Sequence, residues 1–265
     1  MNRLDRIVLL CIACYTLAIA IAGPWLHPVP SEFTAEPDGY LTAIEQIRAC
    51  EVPVRVYQPL LYPALGAVLT SVVGDEFASA RFLSTIAAGF ALWLTYRLGR
   101  QFERPVVGVW ASALLAVSPV FFQHAMFATT DATFLALTLA ALGTIARVSR
   151  GDDRWRTCVL AGVWIGLAWS TRYVGIALVI PVLFAVRGRR LVRWSNVGLG
   201  AILAALPQFA VNLWNFGSPT YSEDWRNLAM KLDGNMDWTM LHPRPLAQEG
   251  WWEVIAAQPL DVLRG

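Results

Sequence analysis

Residues 59–73 read PLLYPALGAVLTSVV, and whether this run crosses a bilayer decides the topology of everything after it. The run is apolar but short, with Pro59 and Pro63 inside it, whereas a straight helical crossing takes about 20 residues. Crossing here would move every later arginine cluster to the opposite side. Kept as a re-entrant or interfacial helix, it leaves spans at about 7–23, 77–98, 105–123, 131–147, 158–171, 173–187 and 195–213. Arg97, Arg100 and Arg104 then share a side with Arg147, Arg150, Arg154 and Arg156, with Arg187, Arg189, Arg190 and Arg193, and with Arg3 and Arg6. That places 13 of the 21 basic residues, but only four of the 19 acidic ones, in short segments on one side. Excess Lys and Arg in short loops marks the cytoplasmic side, so the non-crossing reading wins.

The bulk composition agrees. Of 265 residues 56% are hydrophobic and 15% charged, with a mean hydropathy of +0.48. A soluble domain carries roughly 25% charged residues. A net charge of +2, with no basic face interleaved with polar aromatics, excludes nucleic acid as a main partner. The expected fold class is an all-α polytopic membrane protein of about seven transmembrane helices, with interfacial helices in the first outer loop.

Residues 7–23 follow Arg3 and Arg6 and read as a first span running from inside to outside. A cleaved signal peptide is the rival reading, because Ala18-Ile19-Ala20 and Ala20-Ile21-Ala22 resemble cleavage sites. In the outer loop that follows (24–76), Tyr40, Leu41, Ile44 and Ile47 recur at helical spacing, which suits a short helix lying in the interface. Residues 158–171 and 173–187 are each short for a crossing and meet at Ser170-Thr171-Arg172-Tyr173. That junction must sit in protein or a wet cavity, because bare backbone is not tolerated in lipid. Residues 1–213 form the membrane region, and 214–265 read as an outer-face loop beginning a longer region.

The chain has no G-x-S-x-G, P-loop, dinucleotide glycine fingerprint or H-E-x-x-H. Cys11 and Cys14 form a C-x-x-C inside an apolar helix with no second pair, and His27, His124 and His242 are isolated in sequence. No metal site is expected from them. The outer-face acids are the better signal. Asp38, with Glu36 two residues before it, opens the interfacial helix, and Asp131 begins the fourth span after Thr129 and Thr130. Helix capping is the rival explanation of Asp38, and explains Asp131 just as well as function does. Asp75 and Glu76, before the second span, read as caps. Arg172 is the least expected residue, since a cation in a membrane segment needs an anion, a carboxylate or water. Its planar fork suits phosphate, and a structural salt bridge is the plainer reading. Outward acids beside a cation and an interfacial helix suit transfer from a lipid phosphate, the acid taking a hydroxyl proton and the arginine holding the leaving phosphate.

In order and spacing, EPDGYLTAIEQI (36–47), YQPLLYPALGAVLTSVVGDEFASARFLS (57–84), YRLGRQF (96–102), ASALLAVSPVFFQHAMFATTDATFLAL (111–137) and LAGVWIGLAWSTRYVGIALVIPVLF (160–184) resemble the GT-C glycosyltransferases of the protein-mannosyltransferase and aminoarabinose-transferase type (glycosyltransferase family 39). The resemblance covers roughly residues 1–230. It implies a polytopic enzyme using a polyprenyl-phosphate-linked sugar, with a lipid, a glycan or a protein as acceptor. It implies as catalytic residues Asp38, the base, with Glu36 as alternate, and Asp131, the acid after the third span, and as donor-phosphate-binding residues the cation Arg172, Tyr40, the aromatic that follows the first acid, and Gln58. Gln58 stands where such enzymes frequently carry His or Arg, which alters whatever that basic side chain does. No cofactor is implied, and a divalent metal is left open. The expected location is the plasma membrane, with the N-terminus cytoplasmic and the site facing outward. Such enzymes are longer and carry further spans, so this chain is expected to lack their C-terminal part. Two other classes stand beside this reading: a non-catalytic membrane subunit or truncated remnant binding a lipid carrier, and a transporter, which an inverted repeat would support.

Overall fold

Helix α4 (Glu76–Gln101) is the post around which the first half of the chain packs. Its start is set by Asp75, in extended backbone, whose carboxylate accepts a hydrogen bond from Ala78 N at 2.6 Å. A cap of this kind contributes about 1 kcal/mol. At 1.5 Å per residue its 26 residues span about 39 Å, enough to cross a bilayer with tilt. The buried stripe Ala80, Ala87, Ala88 and Ala91 lets neighbouring helices approach closely.

The computed structural model describes residues 3–26, 40–53, 59–102, 104–152, 154–186 and 190–221. The chain divides into two compact units, Met1–Pro219 and Thr220–Gly265, and the architecture below is that of the first. Its elements are α1 (Arg3–Leu26), α2 (Tyr40–Arg48), α3 (Leu61–Val73), α4, α5 (Pro105–Ala116), α6 (Pro119–Met126), α7 (Asp131–Ser149), α8 (Trp155–Trp169), a 3-10 segment (Tyr173–Leu178), α9 (Val179–Ala185) and α10 (Arg190–Phe216). Helices α1, α3, α5 and α7 pack on α4, while α7 also packs on α8 and α8 runs along α10. Two main cores result. One joins α1, α4, α6 and the start of α7, and the other joins the rest of α7 to α8, α9 and α10. A third, smaller core holds α2 on α3 and α4 through Tyr40, Ile44, Tyr62, Ala67 and Ala80.

The outside of the unit is apolar as well. Leu10, Leu17 and Ile21 on α1, Val106, Trp110 and Leu114 on α5, and Leu199, Leu206 and Leu213 on α10 are all exposed. Lipid makes such a surface stable, whereas water penalises it. Together with the helix lengths, it makes the chain a polytopic all-α membrane protein.

The helix count departs from the sequence expectation in an informative way. Among the described residues four helices, α1, α4, α7 and α10 from Leu191 on, are long and apolar enough to cross a bilayer. The expected single span at 105–123 is instead two helices, α5 and α6, bent by 67° at Val117-Ser118. Pro119 is the cause: it disfavours helical backbone at Ser118, which sits at φ −64°, ψ 121°. Counted as one broken span, the pair brings the total to five. The segments expected at 158–171 and 173–187 are α8 and the 3-10 segment with α9, and both are short, as anticipated. Arg172 separates them in extended backbone at φ −149°, ψ 130°. By length and composition the described residues hold four crossings, or five with the bent pair counted as one, so seven is not confirmed.

The contact of α8 with α10 depends on absent side chains. A Cβ on Gly162 would lie 2.0 Å from Val197 O. Small residues spaced four apart, Gly162 and Gly166, allow that approach, and close van der Waals packing is what joins helices in lipid.

Candidate active site

The short segment between α6 and α7 brings the site's acid to one end of the bundle. Helix α6 ends at Met126, residues 127–130 bend, and α7 starts at Asp131. Asp131 therefore stands at the first helical position, not at the cap, which is Thr130, and Thr130 makes no side-chain capping bond. The capping explanation of Asp131 gives way to a different one. Its Oδ1 accepts a hydrogen bond from Arg172 Nη1, and its Oδ2 lies 3.4 Å from His124 Nδ1. His124 Nδ1 is also 3.3 Å from Thr129 Oγ1.

Arg172 reaches this place because the end of α8 is folded back. Ser170 and Thr171 are buried, and Gly175 N donates to Arg172 O at 2.8 Å. Gly175 has to be glycine, since a Cβ there would lie 2.5 Å from Trp169 N. The sequence predicts a buried cation at 172. In the structure its side chain is 35% exposed, comparable with Asp131 at 36% and His124 at 33%. The trio is thus a partly exposed cluster, formed where α6, α7 and the turn after α8 converge.

Two further elements frame it. Leu61 N donates to Ser170 O at 2.9 Å, tying the start of α3 to the turn that carries Arg172. Tyr40 OH lies 3.2 Å from Thr130 Oγ1, which ties α2 to the residue before Asp131. Tyr40 also packs edge-on against Tyr62, with ring centroids 5.1 Å apart. Tyr62 OH in turn donates to Ala80 O at 2.8 Å and lies 2.9 Å from Ser84 Oγ, and Ser84 Oγ donates to Thr129 O at 3.0 Å. Hydroxyls of α2 directly, and of α3 by way of Ser84 on α4, are therefore tied to the residues before Asp131. Fully satisfied buried networks of this kind rigidify what they support.

On the other side, Gln208 and Asn212 of α10 are buried. Gln208 Oε1 accepts Leu60 N at 2.5 Å, and Gln208 Nε2 donates to Asn212 Oδ1 at 2.6 Å. Asn215 Nδ2 donates to Pro53 O at 2.6 Å.

Of the residues singled out in the sequence, the structure brings Asp131 and Arg172 into contact and sets Tyr40 against Thr130. Asp38, Glu36 and Gln58 lie outside the described residues. Asp75 is a cap, as expected, and Glu76 pairs with Arg48. Sequence reasoning misses His124 because no metal-type partner stands near it there. The available signal is its position seven residues before Asp131, across a proline-initiated helix and a Thr-Thr bend. Among the described residues no group of three or more His, Cys, Asp or Glu is placed to hold a metal ion.

Short helices over an acid–cation pair at one end of a polytopic bundle describe a membrane protein with a candidate polar site. The model of the dolichyl-phosphate-mannose-protein mannosyltransferase family matches residues 57–214, and the chain belongs to that family. No curated protein sequence matches the chain. Three solved structures share its fold. The S. cerevisiae protein O-mannosyltransferase Pmt1-Pmt2 complex, bound to the sugar donor, is similar at 16% identity and a TM-score of 0.56, covering 84% of this chain and 35% of that one. ArnT from Cupriavidus metallidurans, bound to undecaprenyl phosphate, is similar at 17% identity and a TM-score of 0.58, covering 77% and 42%. The Archaeoglobus fulgidus oligosaccharyltransferase in its apo form is similar at 17% identity and a TM-score of 0.62, covering 97% and 36%. The chain therefore spans less than half the length of each.

Proposed function

We propose that the chain acts as a glycosyltransferase, moving a sugar from a polyprenyl-phosphate donor to an acceptor hydroxyl on the outer face of the cell membrane, with its N-terminus in the cytoplasm. The observation that carries this reading is the Asp131–Arg172 pair, a partly open cation held by a carboxylate at one end of the bundle. In the proposed reaction the bond between the sugar's anomeric carbon and the phosphate oxygen breaks as the acceptor oxygen bonds to that carbon. Asp38, with Glu36 as alternate, takes the hydroxyl proton, and the polyprenyl phosphate leaves with the electron pair. Arg172 neutralises the charge that grows on that phosphate, which is where fixed cations accelerate transfer most. Asp131 keeps the guanidinium aimed, and Tyr40 and Gln58 are the outer-loop residues that the family resemblance assigns to the donor phosphate. Protein groups suffice for these steps, with a divalent metal as the alternative that chelation tests. The acceptor is a lipid, a glycan or a protein hydroxyl.

The test is transfer of radiolabelled sugar from a polyprenyl-phosphate donor by protein purified in lipid. Label in an acceptor fraction is expected, together with its loss in Asp38→Asn while insertion is kept. Full transfer by Asp38→Asn overturns the assignment of the base. Saturable binding of the lipid phosphate with no transfer to any acceptor class favours a carrier-binding subunit instead.

A further inference from the structure

His124 is the one ionisable side chain at the ion cluster to which the proposed reaction gives no task. Its Nδ1 edge is taken up by Asp131 Oδ2 at 3.4 Å and Thr129 Oγ1 at 3.3 Å. Its Nε2 has no hydrogen-bond partner among the described residues, and the side chain is a third exposed. A hydrogen bond at one ring nitrogen, here with Thr129 Oγ1, leaves the other nitrogen to face a ligand. Asp131 thus has one oxygen bonded to Arg172 and the other 3.4 Å from His124 Nδ1.

The surroundings limit what else governs that imidazole. Helix α6 carries no other ionisable residue, and α5 carries none. The titratable side chain of α1 near this pair is Tyr15, whose hydroxyl donates to Ala116 O at 2.7 Å. From α4, Arg81 reaches the same end of α6, its Nε donating to Met126 O at 3.2 Å. From α7 comes Asp131, and from the turn after α8 comes Arg172. With the imidazole neutral, Arg172 and Asp131 cancel. Protonation leaves the trio with a net positive charge and a second N–H donor for an oxyanion.

We propose that His124 is a phosphate-contacting residue of the donor site, hydrogen-bonded at Thr129 beside Asp131 and supplying, in its protonated form, a second cation beside Arg172. This rests on the donor reading given above and adds a dependence on pH. The ligand chemistry is a phosphate anion, borne by a lipid or free in solution.

The probe is a polyprenyl methyl phosphate, a diester that stays a monoanion from pH 5.5 to 8, so any change in affinity belongs to the protein. Binding to purified protein in nanodiscs is expected to tighten about tenfold as the pH is lowered from 8 to 5.5, the worth of one charge-assisted hydrogen bond. His124→Gln should bind with a flat profile at the weak, high-pH level. His124→Arg should bind at pH 8 as tightly as the parent protein does at pH 6. Melting temperatures without ligand show whether either variant is misfolded. A parent profile that is flat, or one that persists in His124→Gln, overturns the inference while leaving the donor site standing. No binding by the parent protein at any pH overturns the donor reading itself. Dimethyl phosphate, run in parallel, distinguishes the sources: the same pH dependence with it identifies phosphate alone as sufficient, and a response confined to the lipid probe identifies a lipid-borne headgroup. Either result supports the contact.

Discussion

The guanidinium of Arg172 donates to the carboxylate of Asp131, 41 residues earlier in the chain, and this ion pair links the turn after α8 to the first residue of α7. Both side chains are about one-third exposed, so the pair is solvated enough to contribute little to stability, of the order of 0–1 kcal/mol. Its importance lies in where it holds a positive charge.

Removing that charge separates a binding role from a structural one. Arg172→Ala is expected to weaken polyprenyl-phosphate binding by at least about tenfold, the worth of a lost charge-assisted hydrogen bond. The melting temperature in detergent should move by no more than a few degrees. Arg172→Lys should recover part of the affinity, since it keeps the charge but loses the fork. Unchanged binding in the alanine variant, or loss of folded protein in both, would return the pair to a purely structural role.

Gln208 is buried and bonded on both sides, to Leu60 N and to Asn212 Oδ1. Gln208→Leu should cost about 1–3 kcal/mol, because it strands a backbone N–H and an amide oxygen away from water. Thermal unfolding followed in detergent measures this. An unaltered melting curve would mean that the anchor of α3 on α10 is dispensable.

Close approach of α8 and α10 makes a sharp comparison between two glycines. Gly162→Ala places a methyl 2.0 Å from Val197 O, whereas a Cβ on Gly198 meets nothing within 4 Å. The first should destabilise by about 1–3 kcal/mol or more, and the second should be neutral or slightly stabilising. Equal yields and melting temperatures for the two variants would refute the packing described for this pair of helices.

The expectation, from the arginine clusters, that 59–73 lies on the outer side has a direct chemical readout. Cys50 is exposed just after α2, and Cys158 is buried in α8. In intact cells a membrane-impermeant maleimide is expected to label Cys50, with the signal lost in Cys50→Ser. Labelling that requires permeabilised membranes would place this loop inside and reverse the assignment of the arginine clusters.

Several of these features are legible in the amino-acid sequence. The amphipathic spacing of Tyr40, Leu41, Ile44 and Ile47 predicts the short helix at 40–48, and the same residues pack it on α3 and α4. Asp75 reads as a cap because a cap is a bond to a backbone N–H three residues away. The break at 117–118 escapes a hydropathy reading, although Ser118-Pro119 stands in the sequence, because hydropathy averaged over a span is blind to a local kink. His124 escapes it too, because its partner is set by the bend at 127–130, and nothing in the spacing of His124 and Asp131 states that angle.

The class of molecule, then, is written in the order of residues: apolar runs, short arginine-rich loops and the lack of a soluble domain's charge describe helices that live in lipid. These are properties of segments, summed over neighbouring residues, and they hold without knowledge of what packs on what. Folding is what sets Asp131 between Arg172 and His124, and what fastens Leu61 and Leu60 to Ser170 and Gln208. Those contacts join residues up to 148 positions apart. They exist because close helix packing sets the angles at which distant turns converge, and no local preference of the chain encodes that geometry.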